Sequence, residues 1–136
     1  MTHEVHKVVR ESGGLRIVIA NSATSLTPDN KNDIVVDGSH CGANVADYVL
    51  QGGARGMIGN DAGIGLESAG IAALKILDEH RIPAAAVASI SAEIGVGQST
   101  YDEGVISTVN EVAKKMGVTA GTTAKEAADK MFEGIS

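Results

Sequence analysis

The sequence predicts an α/β domain whose mainly parallel sheet is flanked by helices. Short runs rich in Val, Ile and Ala alternate with amphipathic segments of helical period, which is typical of parallel strands joined by crossover helices. Glycine supplies 17 of the 136 residues and aromatic residues only 2%, so we expect small residues and close backbone approach to pack the core. The length fits one domain, and we therefore predict a single three-layer domain over residues 1–136.

The N-terminal region predicts a β-hairpin added to that core. Residues 4–10 and 15–20 are two Val- and Ile-rich runs, and turn formers occupy residues 11–14 between them. The polar stretch at residues 21–32 is too short for a three-turn helix and two loops, which argues against a βαβ crossover. We expect the second run to pair antiparallel with the next strand, or the chain to cross the sheet edge in a loop.

The remaining chain predicts three strands and four helices. A stripe of Val105, Val109, Val112 and Met116 indicates one of these helices, and a capping box that begins at Thr123 indicates the last. In chain order, we expect strands at residues 34–36, 55–59 and 84–88, and helices at residues 44–50, 67–80, 101–116 and 124–132.

Composition excludes several classes of protein. Hydrophobic residues make up 43% of the chain, too much for a disordered protein, and no apolar run reaches the ~18 residues of a membrane span. A net charge of −6 with few aromatic residues argues against a nucleic-acid partner. Cys41 stands alone, so neither an intrachain disulfide nor a CxxC motif is possible.

Two further observations predict the cellular location and the oligomeric state of the protein. The first residues show no basic segment followed by an apolar stretch, so we expect a cytoplasmic protein without a membrane partner. In the helix predicted at residues 67–80, Ile71 and Leu74 form a second apolar set outside the main stripe. A helix that is apolar on two sides is buried on two sides, which predicts a homo-oligomer.

The segments that follow the predicted strands carry the functional signal. In open α/β sheets, ligands bind at the carboxyl ends of the parallel strands. The segments at that edge are rich in Gly, Ser, Asn, Asp and His, whereas the opposite edge carries ordinary turn residues. The enriched segments are residues 21–25, 37–42, 59–65 and 89–95.

His40 and Asp61 are the candidate catalytic residues. Glycines at positions 38 and 42 flank His40, and a histidine side chain suits acid–base catalysis. The helix predicted after Gly42 would direct free N–H groups at an anion or a carbonyl oxygen. Asp61 lies on the neighbouring strand end, where it could orient His40 or bind a ligand amine. The alternatives are a structural histidine and a helix-capping carboxylate.

Seven further residues form the predicted substrate cradle. Cys41 is either a helix-end thiolate or a small buried hydrophobe, and Ser39 is either a ligand contact or a cap. Glu93 is either a ligand-orienting carboxylate or base, or a solvated charge. The cradle comprises Ser22, Ser39, Cys41, Gly42, Asn60, Gly63 and Glu93.

No cofactor or metal is expected at this edge. Gly63 and Gly65 resemble part of a dinucleotide fingerprint, but Ser68 occupies the third position, and no P-loop motif occurs. The His, Cys, Asp and Glu side chains lack metal-ligand spacing. We therefore expect an enzyme, a hydrolase or lyase, that acts by acid–base chemistry on a small carboxylate- or amide-bearing metabolite. The alternative is a non-catalytic, oligomeric ligand-binding or regulatory subunit with the same pocket.

Overall fold

Six strands pair side by side in the computed structural model, which describes residues 6–64 and 66–136. Their order in the sheet is their order along the chain. The four central strands are parallel, and each outer strand is antiparallel to its neighbour. This confirms the α/β class and the mainly parallel sheet. The strands are β1 (Lys7–Ser12), β2 (Leu15–Ala20), β3 (Asp33–His40), β4 (Gly56–Asn60), β5 (Ala84–Val87) and β6 (Ile106–Val109).

Five α-helices connect or follow these strands within the described residues. The last begins as expected, because the Thr123 hydroxyl accepts a hydrogen bond from the Glu126 N–H at 3.2 Å. Two parts of the expectations, Gly65 and the beginning of the first strand at residues 4 and 5, lie outside the described residues. The helices are α1 (Ala43–Gly52), α2 (Ala72–Glu79), α3 (Gly97–Glu103), α4 (Glu111–Lys115) and α5 (Ala124–Ile135).

Alternate residues of the central strands enter two separate hydrophobic clusters. Ile34 and Val36 of β3 pack in the cluster that includes the apolar side of α5. Val35, between them, packs in the cluster that includes residues of α1 and α2. All three are fully buried, which explains why β3 is a continuous apolar run: a strand covered on both faces has no solvent-facing position.

The connection from β2 to β3 contains no α-helix, as its length predicts, but the expected antiparallel pairing is wrong. β2 and β3 are parallel, with Ile17 opposite Ile34. Two 3₁₀ turns, Ala23–Ser25 and Pro28–Asn30, carry the chain back across the sheet. A 3₁₀ turn rises more steeply per residue than an α-helix and needs fewer residues, so a 12-residue segment suffices for the parallel return.

The helix predicted over residues 101–116 is wrong. The chain leaves α3 at Glu103, forms β6 and enters α4. Gly104 lies so close to β5 that an added Cβ would lie 2.6 Å from Val87 Cγ1, and it would also overlap the Thr100 carbonyl oxygen. The β-branched residues after it favour a strand at this position. Of the predicted stripe, Val109 therefore lies in β6 and Val112 in α4, while Val105 and Met116 flank these elements.

The helix predicted over residues 67–80 begins later than expected. Residues Leu66–Ile71 form a 3₁₀ helix, and α2 starts at Ala72. The Gly70 N–H donates to the Ile64 carbonyl at 2.6 Å, and the Gly70 carbonyl accepts from the Cys41 N–H at 3.0 Å. These contacts hold the segment against the loops that follow β3 and β4. The Gly70 backbone groups form hydrogen bonds with those loops instead of the i to i−4 hydrogen bonds of an α-helix.

Asn110, at the N-terminus of α4, joins three elements through its buried side chain. Its Oδ1 accepts from the N–H groups of Ala84 at 3.1 Å and Ala113 at 2.9 Å. Its Nδ2 donates to the carbonyl oxygens of Leu74 at 3.1 Å and Ile82 at 2.9 Å. The amide thus satisfies backbone groups of α2, β5 and α4 together.

We expect Asn110→Ala to lower the free energy of unfolding by about 3 kcal/mol, because it removes a helix cap and leaves buried backbone groups unsatisfied. The matched control is Thr123→Ala, which removes the more exposed cap of α5 and should cost about 1 kcal/mol. Urea unfolding measures both variants. Equal losses for the two would contradict the assignment of Asn110 as a buried link between elements.

Candidate functional site

The carboxyl ends of the parallel strands bring several predicted site residues to one edge of the sheet. His40 and Asn60 are opposite each other in the pairing of β3 with β4. Cys41 and Asp61 follow directly, and the Cys41 N–H donates to the Asn60 carbonyl at 3.1 Å. The expected neighbourhood of the two strand ends therefore exists in the structure.

The segment between β5 and α3 lies across this edge. The Gly95 N–H donates to the Gly38 carbonyl at 2.7 Å, and the Gly97 N–H donates to Asn21 Oδ1 at 3.0 Å. A Cβ at Gly38 would lie 2.6 Å from the Gly95 carbonyl carbon, and one at Gly97 would overlap the carbonyl oxygen of Ala20. These glycines allow the loop to pack on the strand ends. Part of the glycine enrichment at this edge is therefore explained by close backbone packing.

His40 is exposed, and its ring is held by the residue two positions later. Nδ1 accepts a hydrogen bond from the Gly42 N–H at 2.9 Å. The ring also lies against the Gly42 Cα, since an added Cβ there would be 2.6 Å from His40 Cε1. With Nδ1 as acceptor, the neutral imidazole carries its proton on Nε2. His40 therefore presents a hydrogen-bond donor in a fixed ring orientation.

Asp61 is 5% exposed, and its carboxylate joins two loops and strand β6. Oδ1 accepts from the N–H groups of Gly63 at 2.8 Å and Ser89 at 3.0 Å. Oδ2 accepts from the Ser107 hydroxyl at 2.6 Å. Among the described residues, no hydrogen bond joins Asp61 to His40. The carboxylate acts in this structure as a clamp between the segments that follow β4 and β5 and strand β6.

Cys41 is fully buried beneath the same edge. Burial raises the pKa of its thiol well above the ordinary value, and the negative charges of Asp37 and Asp61 raise it further. Its Sγ packs against Gly59, where an added Cβ would be 2.8 Å away. A buried neutral thiol is a small hydrophobe rather than a nucleophile.

The serines predicted as ligand contacts bind backbone groups. The Ser39 hydroxyl accepts from the Ala23 N–H at 2.9 Å, and the Ser22 hydroxyl accepts from the Thr24 N–H at 3.2 Å. Each closes part of the turn that follows β2. Both serines lie at the carboxyl edge, and these two hydrogen bonds stabilise the loop itself.

The remaining cradle residues divide between buried and exposed positions. Asn60 is fully buried, and its Oδ1 accepts from the Ala62 N–H at 2.8 Å. Gly63 adopts a φ of +75° beside Ser89. Glu93 is exposed and lines a surface depression of about 410 Å³ with Glu103. His40 and Glu93 are thus the exposed titratable residues of the predicted set.

Sequence reasoning missed two contributors to this edge. Ser107, which bonds Asp61, was assigned to a helix because of the valine stripe. Asp37 is fully buried, and its Oδ1 accepts from the Ser39 N–H at 2.9 Å. No local pattern identifies Ser107, whose partner is 46 positions away. Asp37 could have been found, because a carboxylate inside an apolar strand requires buried donors.

Three further observations concern metals, membranes and relatives. Among the side chains that the structure describes, no group of three or more His, Cys, Asp or Glu residues is arranged to hold a metal ion. No helix in the described part of the chain is long and apolar enough to span a bilayer.

In comparisons with protein-family models, curated proteins and solved structures, nothing matches this chain.

We expect Asp61→Ala to lower the free energy of unfolding by about 3 kcal/mol, because three donors lose a charged acceptor. Asp61→Asn keeps an oxygen for the two N–H groups and should cost about 1 kcal/mol. Glu93→Ala, at the exposed carboxylate of the same edge, is the control and should stay within about 0.5 kcal/mol of the native value. Denaturant unfolding of the three variants tests this ranking, and a harmless Asp61→Ala would contradict the clamp.

We expect Cys41 to react with iodoacetamide at pH 8 at least about 100-fold more slowly than an exposed cysteine, because alkylation requires local opening and the buried thiol stays protonated. Ser12→Cys supplies the exposed comparison in the same protein. Mass spectrometry of the alkylated peptides measures the alkylation rates of Cys41 and of the introduced cysteine, and comparable rates would show that Cys41 is accessible.

The pKa of Cys41 is raised in the folded state. Its contribution to the free energy of unfolding is therefore complete below the ordinary thiol pKa and is lost as the pH rises above that value.

Proposed function

We propose that the protein binds a small carboxylate- or amide-bearing metabolite beside His40 and acts on it by acid–base chemistry, as a hydrolase or lyase without a redox cofactor. The observation that carries this proposal is the geometry of His40. Its exposed ring is fixed by the Gly42 N–H and leaves Nε2–H as a donor. A preoriented donor at the end of a parallel strand suits recognition of an acceptor oxygen.

The N-terminus of α1 supports the same ligand chemistry. Gly42 is the N-cap of this helix and has no side chain that could accept from the N–H groups of the first turn. The first two helical residues, Ala43 and Asn44, are exposed. Helix N-termini with unsatisfied N–H groups favour anions and carbonyl oxygens. We propose that His40 and the N-terminus of α1 donate hydrogen bonds to the same ligand.

His40 would act on such a ligand through its Nε2–H. A neutral imidazole that donates to a carbonyl oxygen stabilises the negative charge that develops there during hydrolysis or elimination. Glu93, exposed at the same edge, takes the ligand-orienting role in this proposal. Asp61 takes part by holding the loops, because its three hydrogen bonds go to Gly63, Ser89 and Ser107.

A non-catalytic ligand-binding or regulatory subunit is the second candidate. The burial of Cys41 and the hydrogen bonds of Asp61 favour it, since neither side chain is available to a reacting ligand.

For either function we propose a single three-layer domain with an N-terminal hairpin, which works as a cytoplasmic homo-oligomer. The 96% exposure of Ile90 and the 52% exposure of Ile94 support a contact with another copy.

The test is an NMR titration of the protein with acetate, malonate and succinate and with their amides. We expect saturable shifts at the backbone amides of Gly42, Ala43 and Asn44, and at least a tenfold loss of affinity in His40→Ala. His80→Ala changes a second exposed histidine, at the end of α2, and should leave those three amide shifts unchanged.

Proton spectra of the same mixtures report turnover. Product formation that falls by about 100-fold or more in His40→Ala supports the enzyme. Binding that depends on His40 without any turnover supports the regulatory subunit. Shifts confined to other parts of the protein would show that the assigned site is wrong.

A further inference from the structure

A surface depression of about 340 Å³ lies at the amino ends of β4 and β5, opposite the edge that carries His40. Its volume is within the range of small-molecule sites. The segments before β4 and β5 form two of its walls, and the ends of α4 and α5 complete it. Its lining residues are Ala54, Arg55, His80, Arg81, Ile82, Pro83, Met116, Gly134 and Ile135.

The lining of this depression is positively charged in a protein of net charge −6. Arg55 and Arg81 both line it, with His80 beside them, and no lining residue is acidic. Both arginines are exposed. Among the described residues, the ion pairs involve Arg10, Arg16 and Lys125 and neither of these two arginines. Two arginines thus line one concave surface, and neither forms an ion pair with another described residue.

The backbone holds both arginines in place. The Arg55 N–H donates to the Asp33 carbonyl at 2.8 Å, and the Arg81 N–H donates to the Asp78 carbonyl at 3.0 Å. Arg81 adopts a φ of +60°, a left-handed conformation that is costly for a residue with a Cβ and that glycine usually takes after a helix. The chain thus places an arginine, at the cost of backbone strain, among the residues that line the depression.

We infer that this depression is a binding site for a small dianion of the phosphate type. Guanidinium groups bind tetrahedral and planar oxyanions through paired N–H donors, and two positive charges balance one dianion. Pro83, Met116 and Ile135 give the depression an apolar part, which accommodates a short organic group attached to the phosphate.

The test is an NMR titration with sodium sulfate, inorganic phosphate and phenyl phosphate, each compared with sodium chloride at the same ionic strength. We expect saturable shifts at the backbone amides of Arg55, Arg81 and Ile82 with a dissociation constant on the order of 1 mM. Tighter binding of phenyl phosphate than of inorganic phosphate assigns the site to the phosphorylated end of an organic molecule, and equal binding assigns it to the free anion. Either result supports the inference.

Two variants make the test specific. The double substitution of Arg55→Gln and Arg81→Gln should weaken sulfate binding at least tenfold. The matched control, Lys7→Gln with Lys125→Gln, removes the same charge from exposed positions elsewhere and should leave it unchanged. Arg81→Gly removes the strain as well as the charge, so it should raise the melting temperature while it weakens binding.

Two results would overturn the inference. One is sulfate shifts no larger than those of chloride, which would mean that the arginines only stabilise the carbonyl ends of nearby helices. The other is sulfate binding that survives the double substitution. Because these readouts lie at the amino edge of the sheet, they are independent of the outcome at His40.

Discussion

The carboxylate of Asp61 is the constraint on which the carboxyl edge of the sheet depends. It accepts hydrogen bonds from the segments that follow β4 and β5 and from β6. Two of these partners, Ser89 and Ser107, are 28 and 46 positions away along the chain, so one nearly buried charge joins segments that local sequence does not bring together. A buried carboxylate is tolerated only where donors replace its lost hydration, and here the loops supply those donors.

The same requirement explains how the other polar residues of this edge are used. Ser22, Ser39 and Asn60 each accept a hydrogen bond from a nearby backbone N–H. Loops that pack closely on strand ends bury backbone groups, and those groups need partners. His40 differs, because one ring nitrogen is engaged and the residue remains exposed. The edge thus combines a rigid polar frame with a preoriented exposed donor.

Sequence patterns predicted the parallel core and the position of this edge. The run from Ile34 to Val36 indicates a strand covered on both faces, and the structure buries all three residues. Residue spacing predicts where side chains lie along one element but does not predict partners that are distant in the chain. The Ser107–Asp61 hydrogen bond spans 46 positions. The helix predicted over residues 101–116 from the valine stripe is wrong for the same reason. The close contact of Gly104, at the end of α3, with Val87 arises only in the folded protein.

In the proposed site, the Gly42 N–H holds the His40 ring so that Nε2–H faces a polar ligand as a donor. Long-range ¹H–¹⁵N NMR of the His40 ring at neutral pH measures this most directly. We expect Nε2 to carry the proton, Nδ1 to have the shift of a hydrogen-bonded acceptor, and malonate to change the Nε2 signal. A proton on Nδ1, or rapid exchange between the two tautomers, would contradict it, because the Gly42 N–H could not then hold the ring.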